Sequence, residues 1–434
     1  MPSRPVAAAF ALGGAAFFLL CGYEFARSVS YSLFIGAFGP QRLPWVMALS
    51  PVGTFGMVYA YGLLLTRLGA RRTLIVSSLL SGGGMLLCYA LITDGIIWSI
   101  AAFYVLRESY IVLLIEQYWS FINSTLSPDQ ARRVNGPILG IGSVGGILGG
   151  VMVSLTAERF GTEQLIFFAA ASTLPAAALG ALAFRLGGTP RATARTETAA
   201  GPYPDPGHAA TGQESRGHLS NLGLEMFRRH RILSYLAFII LATQAVATVL
   251  DVRLNILADE KIPDTDQLTA FFGSLYSSIN GGAFVLQFLV TPFLLKRLPL
   301  LTVHVAIPAV HLVSCTILFV HPTLATGVAA FAIFKCLDYS IFRACKEILY
   351  MPLPFAARYR AKQVIDAFGY RASKGVTATL LAAAGAAFGQ LPGFSYVLVA
   401  VAAALAWLGA VWRMAPSIRK GQASGIEQEI QRKP

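Results

Sequence analysis

The chain has 434 residues, 55% of them hydrophobic and only 13% charged, with a mean hydropathy of +0.62. That composition excludes an ordinary soluble domain. A net charge of +13 would point to nucleic acid in a soluble protein, but here the basic residues sort by side of a membrane, so no nucleic-acid partner is read.

A first apolar run covers residues 7–37, after Arg4. It continues past Tyr23 without a small-residue cleavage site, so it reads as an uncleaved first span. Runs at 44–66, 73–92, 96–123, 136–157 and 163–186 follow. Each is about 20 residues or longer, enough to cross roughly 30 Å of hydrocarbon at ~1.5 Å per residue. The second run ends in a basic turn, LLLTRLGARR at 63–72. The third carries Ser81-Gly82-Gly83-Gly84. The fifth carries Gly142, Gly146 and Gly150 at every fourth position, with Gly145 and Gly149 beside them. Such a stripe is a smooth face for close helix approach.

Residues 187–228 differ. The stretch 187–222 is rich in Gly, Pro, Thr and Ala and poor in aliphatics. It cannot bury enough apolar surface to offset chain entropy, and reads as a cytoplasmic linker. Leu222–Arg231 has the pattern of a short amphipathic surface helix. Six more apolar runs follow, at 233–257, 268–295, 300–320, 323–350, 364–389 and 393–413. The reading is an all-α membrane protein of twelve spans. Its expected parts are a bundle over 1–186, the linker 187–228, a bundle over 229–416 and a cytoplasmic tail over 417–434.

With the N-terminus inside, 23 of the 34 Lys/Arg fall in cytoplasmic segments, eight within spans and three outside (Arg42, Arg159 and Lys261). The outer loops hold Asp94, Glu158, Glu163, Asp259, Glu260, Asp264 and Asp266. By the positive-inside rule both termini are cytoplasmic. Two six-span halves with basic 2–3 and 8–9 loops are also the layout of the major facilitator superfamily.

Charge in hydrocarbon costs about 2.5–3.5 kcal/mol per group on insertion scales. Eight basic groups lie in spans: Arg27, Arg107, Arg253, Lys335, Arg343, Lys346, Arg371 and Lys374. Seven acidic ones accompany them: Glu24, Glu108, Glu116, Asp251, Asp338, Glu347 and Asp366. Near-balance implies internal pairing. The helical spacings Glu24/Arg27, Lys335/Asp338 and Arg343/Glu347 fit such pairs. Arg27, Glu108, Asp251, Lys335 and Lys346 are read as substrate-binding. Glu24, Arg107, Asp338, Arg343, Glu347, Asp366 and Arg371 are read as gating or ion-pair residues. Tyr31, Tyr104, Tyr110, Tyr118, Trp119, Tyr339 and Tyr350 accompany them; a ring face there would stack on a nucleobase, anchor at the interface or fill core.

No metal and no cofactor is read. The five cysteines lie in apolar segments without metal-ligand spacing. His304 and His311, seven apart on one helical face, read as packing rather than ligands. No phosphate-binding GxxxxGK[ST] loop, HExxH or Ser/His/Asp constellation is present, so no enzyme is expected.

Two segments carry a family resemblance: YVLRESYIVLLIEQYWSFINSTLSPDQARRVNGPILGIGSVGGILGG at 104–150, and DYSIFRACKEILYMPLPFAARYRAKQVIDAFGYRASKG at 338–375. The second holds Tyr339, Ser340, Ile341 and Phe342, then Lys346-Glu347, Tyr350, Pro352-Leu353, Lys362, Asp366, Arg371 and Lys374. Together they resemble the ATP/ADP translocase family of plastids and intracellular bacteria, nearer the branch in free-living bacteria. The resemblance implies a nucleotide carrier in a bacterial inner membrane. It places Arg27, Glu108 and Lys346 on the family's charged positions. The chain departs where adenylate exchangers carry a Lys after the span-1 Arg, here Val29-Ser30. In span 10 it also departs: Asp338 and Arg343 stand with charges swapped.

The expected function is secondary transport of a nucleotide or related phosphorylated organic anion by a monomer in the bilayer. A proton-coupled pump of the same fold, with Glu24, Glu108 and Asp251 as proton carriers, remains open. So does a non-transporting sensor or scaffold.

Overall fold

The computed structural model describes residues 4–188, 227, 231–351, 365 and 369–431. The linker's residues 189–226 and 228, Pro352, Leu353, Lys362 and Asp366 therefore lie outside the described residues. All described secondary structure is helical. Helices satisfy their backbone polar groups within one segment, which hydrocarbon demands.

In chain order the helices are α1 (Arg4–Phe38), α2 (Leu43–Thr93), α3 (Trp98–Thr125), α4 (Pro128–Phe160), α5 (Leu165–Gly187), α6 (Arg231–Lys261) and α7 (Thr265–Val285). There follow α8 (Thr291–Arg297), α9 (Leu300–Val320), α10 (Leu324–Leu337), α11 (Arg343–Tyr350), α12 (Tyr370–Phe388) and α13 (Gly393–Gln431). Two π turns join α7 to α8 (Leu286–Val290) and α10 to α11 (Asp338–Phe342).

Among the described residues ten helices are long and apolar enough to cross a membrane. The twelve predicted runs match them roughly. Runs two and three are one 51-residue helix, α2. At ~1.5 Å per residue it would measure about 77 Å, more than twice the hydrocarbon thickness. It breaks at Gly69, whose φ of 72° and ψ of 165° are non-helical. A positive φ is open to glycine at no steric cost, and this one sits in the basic turn of 63–72. The run at 364–389 contains α12, which is not among the ten.

Local signals set several ends. Ser127 caps α4: its Oγ accepts from the Gln130 N–H at 3.4 Å while Gln130 Oε1 accepts from the Ser127 N–H at 3.1 Å, and Pro128 takes the first helical position. Thr323 and Thr326 repeat the arrangement before α10. The π turn before α8 has a cause in Pro292, which has no N–H to give the preceding turn. The Leu286 carbonyl accepts from the Thr291 N–H five residues on and from the Thr291 hydroxyl at 2.8 Å.

The chain divides into two compact units: Met1–Asp205 with Ala258–Gly281, and Pro206–Leu257 with Gly282–Pro434. In the first, α1 packs on α3, α4 and α5, and α2 on α3 and α5. The glycine stripe lets α1 and α4 meet backbone to backbone. A Cβ on Gly145 would lie 2.2 Å from the Phe17 carbonyl oxygen, and one on Gly149 2.4 Å from that of Cys21. In the second, α9 packs on α10 and α13, and the two π turns pack on one another. His311 fills core there, its ring 4.9 Å from Phe334 and 5.5 Å from Trp407. The outside of both units is apolar: Leu80, Leu155, Phe388 and Trp412 are each more than 60% exposed. Apolar surface on this scale belongs in lipid. The chain is a multi-pass membrane protein.

Candidate functional site

The buried charges of the first unit converge. On α1, Tyr23, Arg27 and Tyr31 follow at intervals of four, with Glu24 three residues before Arg27, which brings them to one side of the helix. From α3 come Tyr104, Arg107, Glu108 and Tyr110. From α7 come Phe272, Tyr276 and Asn280, each four residues apart. The start of α7 is pinned by Asp266, whose Oδ1 accepts from the Thr162 N–H at 2.7 Å and the Thr162 hydroxyl at 2.6 Å. Farther along, the Ser277 hydroxyl donates to the Ile147 carbonyl at 2.9 Å. These bonds fix where Tyr276 and Asn280 stand.

Glu24 and Arg27 form the first pair, Nη1 to Oε1 at 3.6 Å, both nearly out of solvent. The same Oε1 accepts from Asn280 Nδ2 at 2.9 Å. The Arg27 guanidinium lies 3.4 Å over the Tyr276 ring and 5.8 Å from that of Tyr23. A desolvated cation over an aromatic face is stabilised by about 2 kcal/mol. The other carboxylate oxygen, Glu24 Oε2, is buried without a hydrogen-bond partner. The bare Cα of Gly146 makes room for this contact. A Cβ there would lie 3.1 Å from Asn280 Nδ2.

Arg107 and Glu108 form the second pair, Nη1 to Oε1 at 3.0 Å. Arg107 is 1% exposed. Its guanidinium carbon is 4.3 Å from the centre of the Tyr104 ring and 4.9 Å from that of Tyr31. Those rings meet edge to face at 5.5 Å. The Nε and Nη2 of Arg107 are buried with no hydrogen-bond partner. Leaving a buried donor unpaired costs about 1–3 kcal/mol, and more when it is charged. Two such donors on one guanidinium match the two oxygens of a carboxylate or phosphate.

The second unit holds the other expected residues more loosely. Asp251 is buried, and its Oδ1 accepts from Asn255 Nδ2 on the same helix at 3.0 Å. Lys335 is half-buried, its Nζ 5.5–5.8 Å from the rings of Phe331, Phe334 and Tyr339. It does not close the expected ion pair with Asp338, although the α register between the two is intact. Lys346 is buried, and its Nζ donates to the Tyr370 hydroxyl at 3.3 Å. Arg343 is exposed and makes no ion pair with the half-buried Glu347. Arg371 is half-buried on α12. Asp338 lies within electrostatic reach of Lys335, Lys346 and Arg343.

Sequence reasoning found the four charged groups of the first unit but missed Tyr23, Tyr276 and Asn280 as their partners. The available signal was the polar run Tyr276-Ser277-Ser278, with Asn280 two residues on, inside an otherwise apolar span.

No protein-family profile and no curated protein sequence matches the chain. Solved structures do. The nucleoside transporter NupG superposes with a TM-score of 0.64 at 12% identity, over 95% of this chain and 99% of that one. A bacterial homologue of the iron transporter ferroportin, in an inward-facing state, gives 0.63 at 11%, over 94% and 98%. The D-xylose–proton symporter gives 0.57 at 14%, over 92% and 96%. The fold is major facilitator-like. Identities this low carry the architecture of these transporters and nothing of their substrates.

Proposed function

We propose that the protein is a secondary active transporter that moves a nucleotide or related phosphorylated organic anion across the inner membrane by alternating access, both termini in the cytoplasm. The observation that carries this reading is Arg107: a guanidinium 1% exposed, with Tyr31 and Tyr104 against it and two N–H donors without partners. A phosphate takes such donors in pairs. The major facilitator-like fold supports transport over catalysis, and the resemblance of 104–150 and 338–375 to nucleotide carriers supports the substrate class. Arg27 and Glu108 complete the binding set; Glu24 holds Arg27 in place.

The test is uptake of labelled nucleotides into proteoliposomes preloaded with unlabelled nucleotide. Uptake above empty vesicles, lost in Arg27→Ala and in Glu108→Gln, supports the reading. Absence of uptake with every nucleotide and sugar phosphate tried overturns it.

One observation favours a second reading. Glu24 Oε2 is buried without a hydrogen-bond partner, a natural seat for a proton. A proton-coupled solute pump would then use Glu24 as carrier. Flux that follows an imposed proton gradient, ignores nucleotides and fails in Glu24→Gln selects this reading.

A further inference from the structure

A third guanidinium lies buried in the other unit, and unlike those of Arg27 and Arg107 it has no carboxylate partner among the described residues. Arg253 on α6 is 8% exposed. Its Nε is buried with no hydrogen-bond partner, and no carboxylate lies within 4 Å of the side chain among the described residues. The acid nearest in sequence, Asp251, sits two positions away, a spacing that faces a different side of a helix. It is already engaged by Asn255.

The guanidinium lies flat against Gly393, the first residue of α13. A Cβ on Gly393 would lie 2.7 Å from Cζ, 2.7 Å from Nη1 and 2.8 Å from Nη2. Only a glycine admits this contact. Tyr396, one turn along the helix, is also within electrostatic range.

This is an unfavourable place for a cation. The N-terminus of a helix carries roughly half a positive charge, and its first N–H groups have no intrahelical partner. Pro392 before it has no N–H, and the Ser395 N–H is taken by the Pro392 carbonyl at 2.9 Å. Gly393 and Phe394 contribute the leading N–H groups. A buried guanidinium and a helix N-terminus that would repel each other are instead held in contact. An oxyanion at their shared edge reverses the sign of the interaction, since it accepts from the unpartnered Nε–H and from the leading N–H groups of the helix.

We infer that Arg253 and the N-terminus of α13 form a binding site for a small oxyanion, of the phosphate class, separate from the transport site of the first unit. The chemistry suits either a free phosphate or the phosphate of an anionic lipid headgroup. It stands independently of the transport reading, because no residue is shared.

The experiment measures thermal unfolding of the full-length protein in neutral detergent, with inorganic phosphate against chloride at matched ionic strength. A parallel series uses nanodiscs of phosphatidylcholine with and without phosphatidylglycerol. Phosphate is expected to raise the Tm by roughly 2–4 °C at saturating concentration. Arg253→Gln is expected to abolish that rise, and Arg253→Lys to weaken phosphate binding about tenfold, because an ammonium loses the paired donors. Both series are run on an Arg107→Gln background, so that the phosphate-gripping guanidinium of the transport site adds nothing to the rise. A rise with free phosphate identifies a soluble anion as a ligand. A rise only with phosphatidylglycerol identifies a headgroup, and both outcomes support the site. No rise in either series overturns it. So does a rise that Arg253→Gln retains on that background.

Discussion

A guanidinium at 1% exposure with two unpaired N–H groups is a stored cost that a bound anion relieves. That makes Arg107 the residue whose chemistry is easiest to test apart from its charge. Lysine at this position keeps the charge and its pairing with Glu108, but presents a point ammonium in place of a planar fork. Arg107→Lys is therefore expected to reach the membrane and to raise the KM for nucleotide at least about tenfold, the equivalent of roughly 1.4 kcal/mol. Arg107→Gln is expected to abolish saturable uptake. A KM in Arg107→Lys equal to that of the native protein would remove the guanidinium from the binding set. At this scale the charges were readable from the sequence, because Glu24, Arg27, Arg107 and Glu108 are costly in hydrocarbon and stand out for that reason. Tyr276 and Asn280 were not readable as their partners. Neutral polar residues cost little in a span, and the Glu24–Asn280 bond joins positions 256 apart in the chain. Nor does helical spacing guarantee a pair: Lys335 and Asp338 have it and miss each other.

Helix packing in lipid rests on close backbone approach, since the tails are as apolar as the side chains they touch. The glycines of α4 and α2 separate those that serve this from those that do not. Gly145 has no room for a methyl group, with the Phe17 carbonyl 2.2 Å from where its Cβ would stand. Gly83, in the Ser81–Gly84 run, has nothing within 4 Å. Gly145→Ala is expected to destabilise by about 1–3 kcal/mol through overpacking. Gly83→Ala is expected to be neutral or to stabilise by up to about 1 kcal/mol through helix propensity. Detergent-solubilised thermal unfolding compares them, and equal Tm values would mean that α1 and α4 are not in backbone contact. The glycine stripe was legible as a packing face because its period matches the helix. The merger of runs two and three around Gly69 was half legible, as a basic turn without proline. The π turn at Asp338–Phe342 was not legible: a change in hydrogen-bond register leaves no mark in composition. The one before α8 had a hint in Pro292.

Over the whole chain, the asymmetry of basic residues is the feature that a membrane reads. Moving Lys or Arg to the outer face during insertion is disfavoured, so short loops rich in them stay inside. The major facilitator-like fold leaves the orientation open, whereas the charge count commits to one. Arg67 and Lys296 lie in basic turns of the two units, and Asp94 and Asp264 lie in acidic loops; all four are exposed. Single cysteines at these positions, on a background in which Cys21, Cys88, Cys315, Cys336 and Cys345 are replaced by serine or alanine, give a direct reading. In intact spheroplasts a membrane-impermeant maleimide is expected to label Asp94→Cys and Asp264→Cys. Arg67→Cys and Lys296→Cys should label only after permeabilisation. The reverse pattern would place the termini outside. Labelling of Asp94→Cys together with Lys296→Cys in intact cells would mean that the two units insert with opposite orientation, which the distribution of basic residues opposes in both.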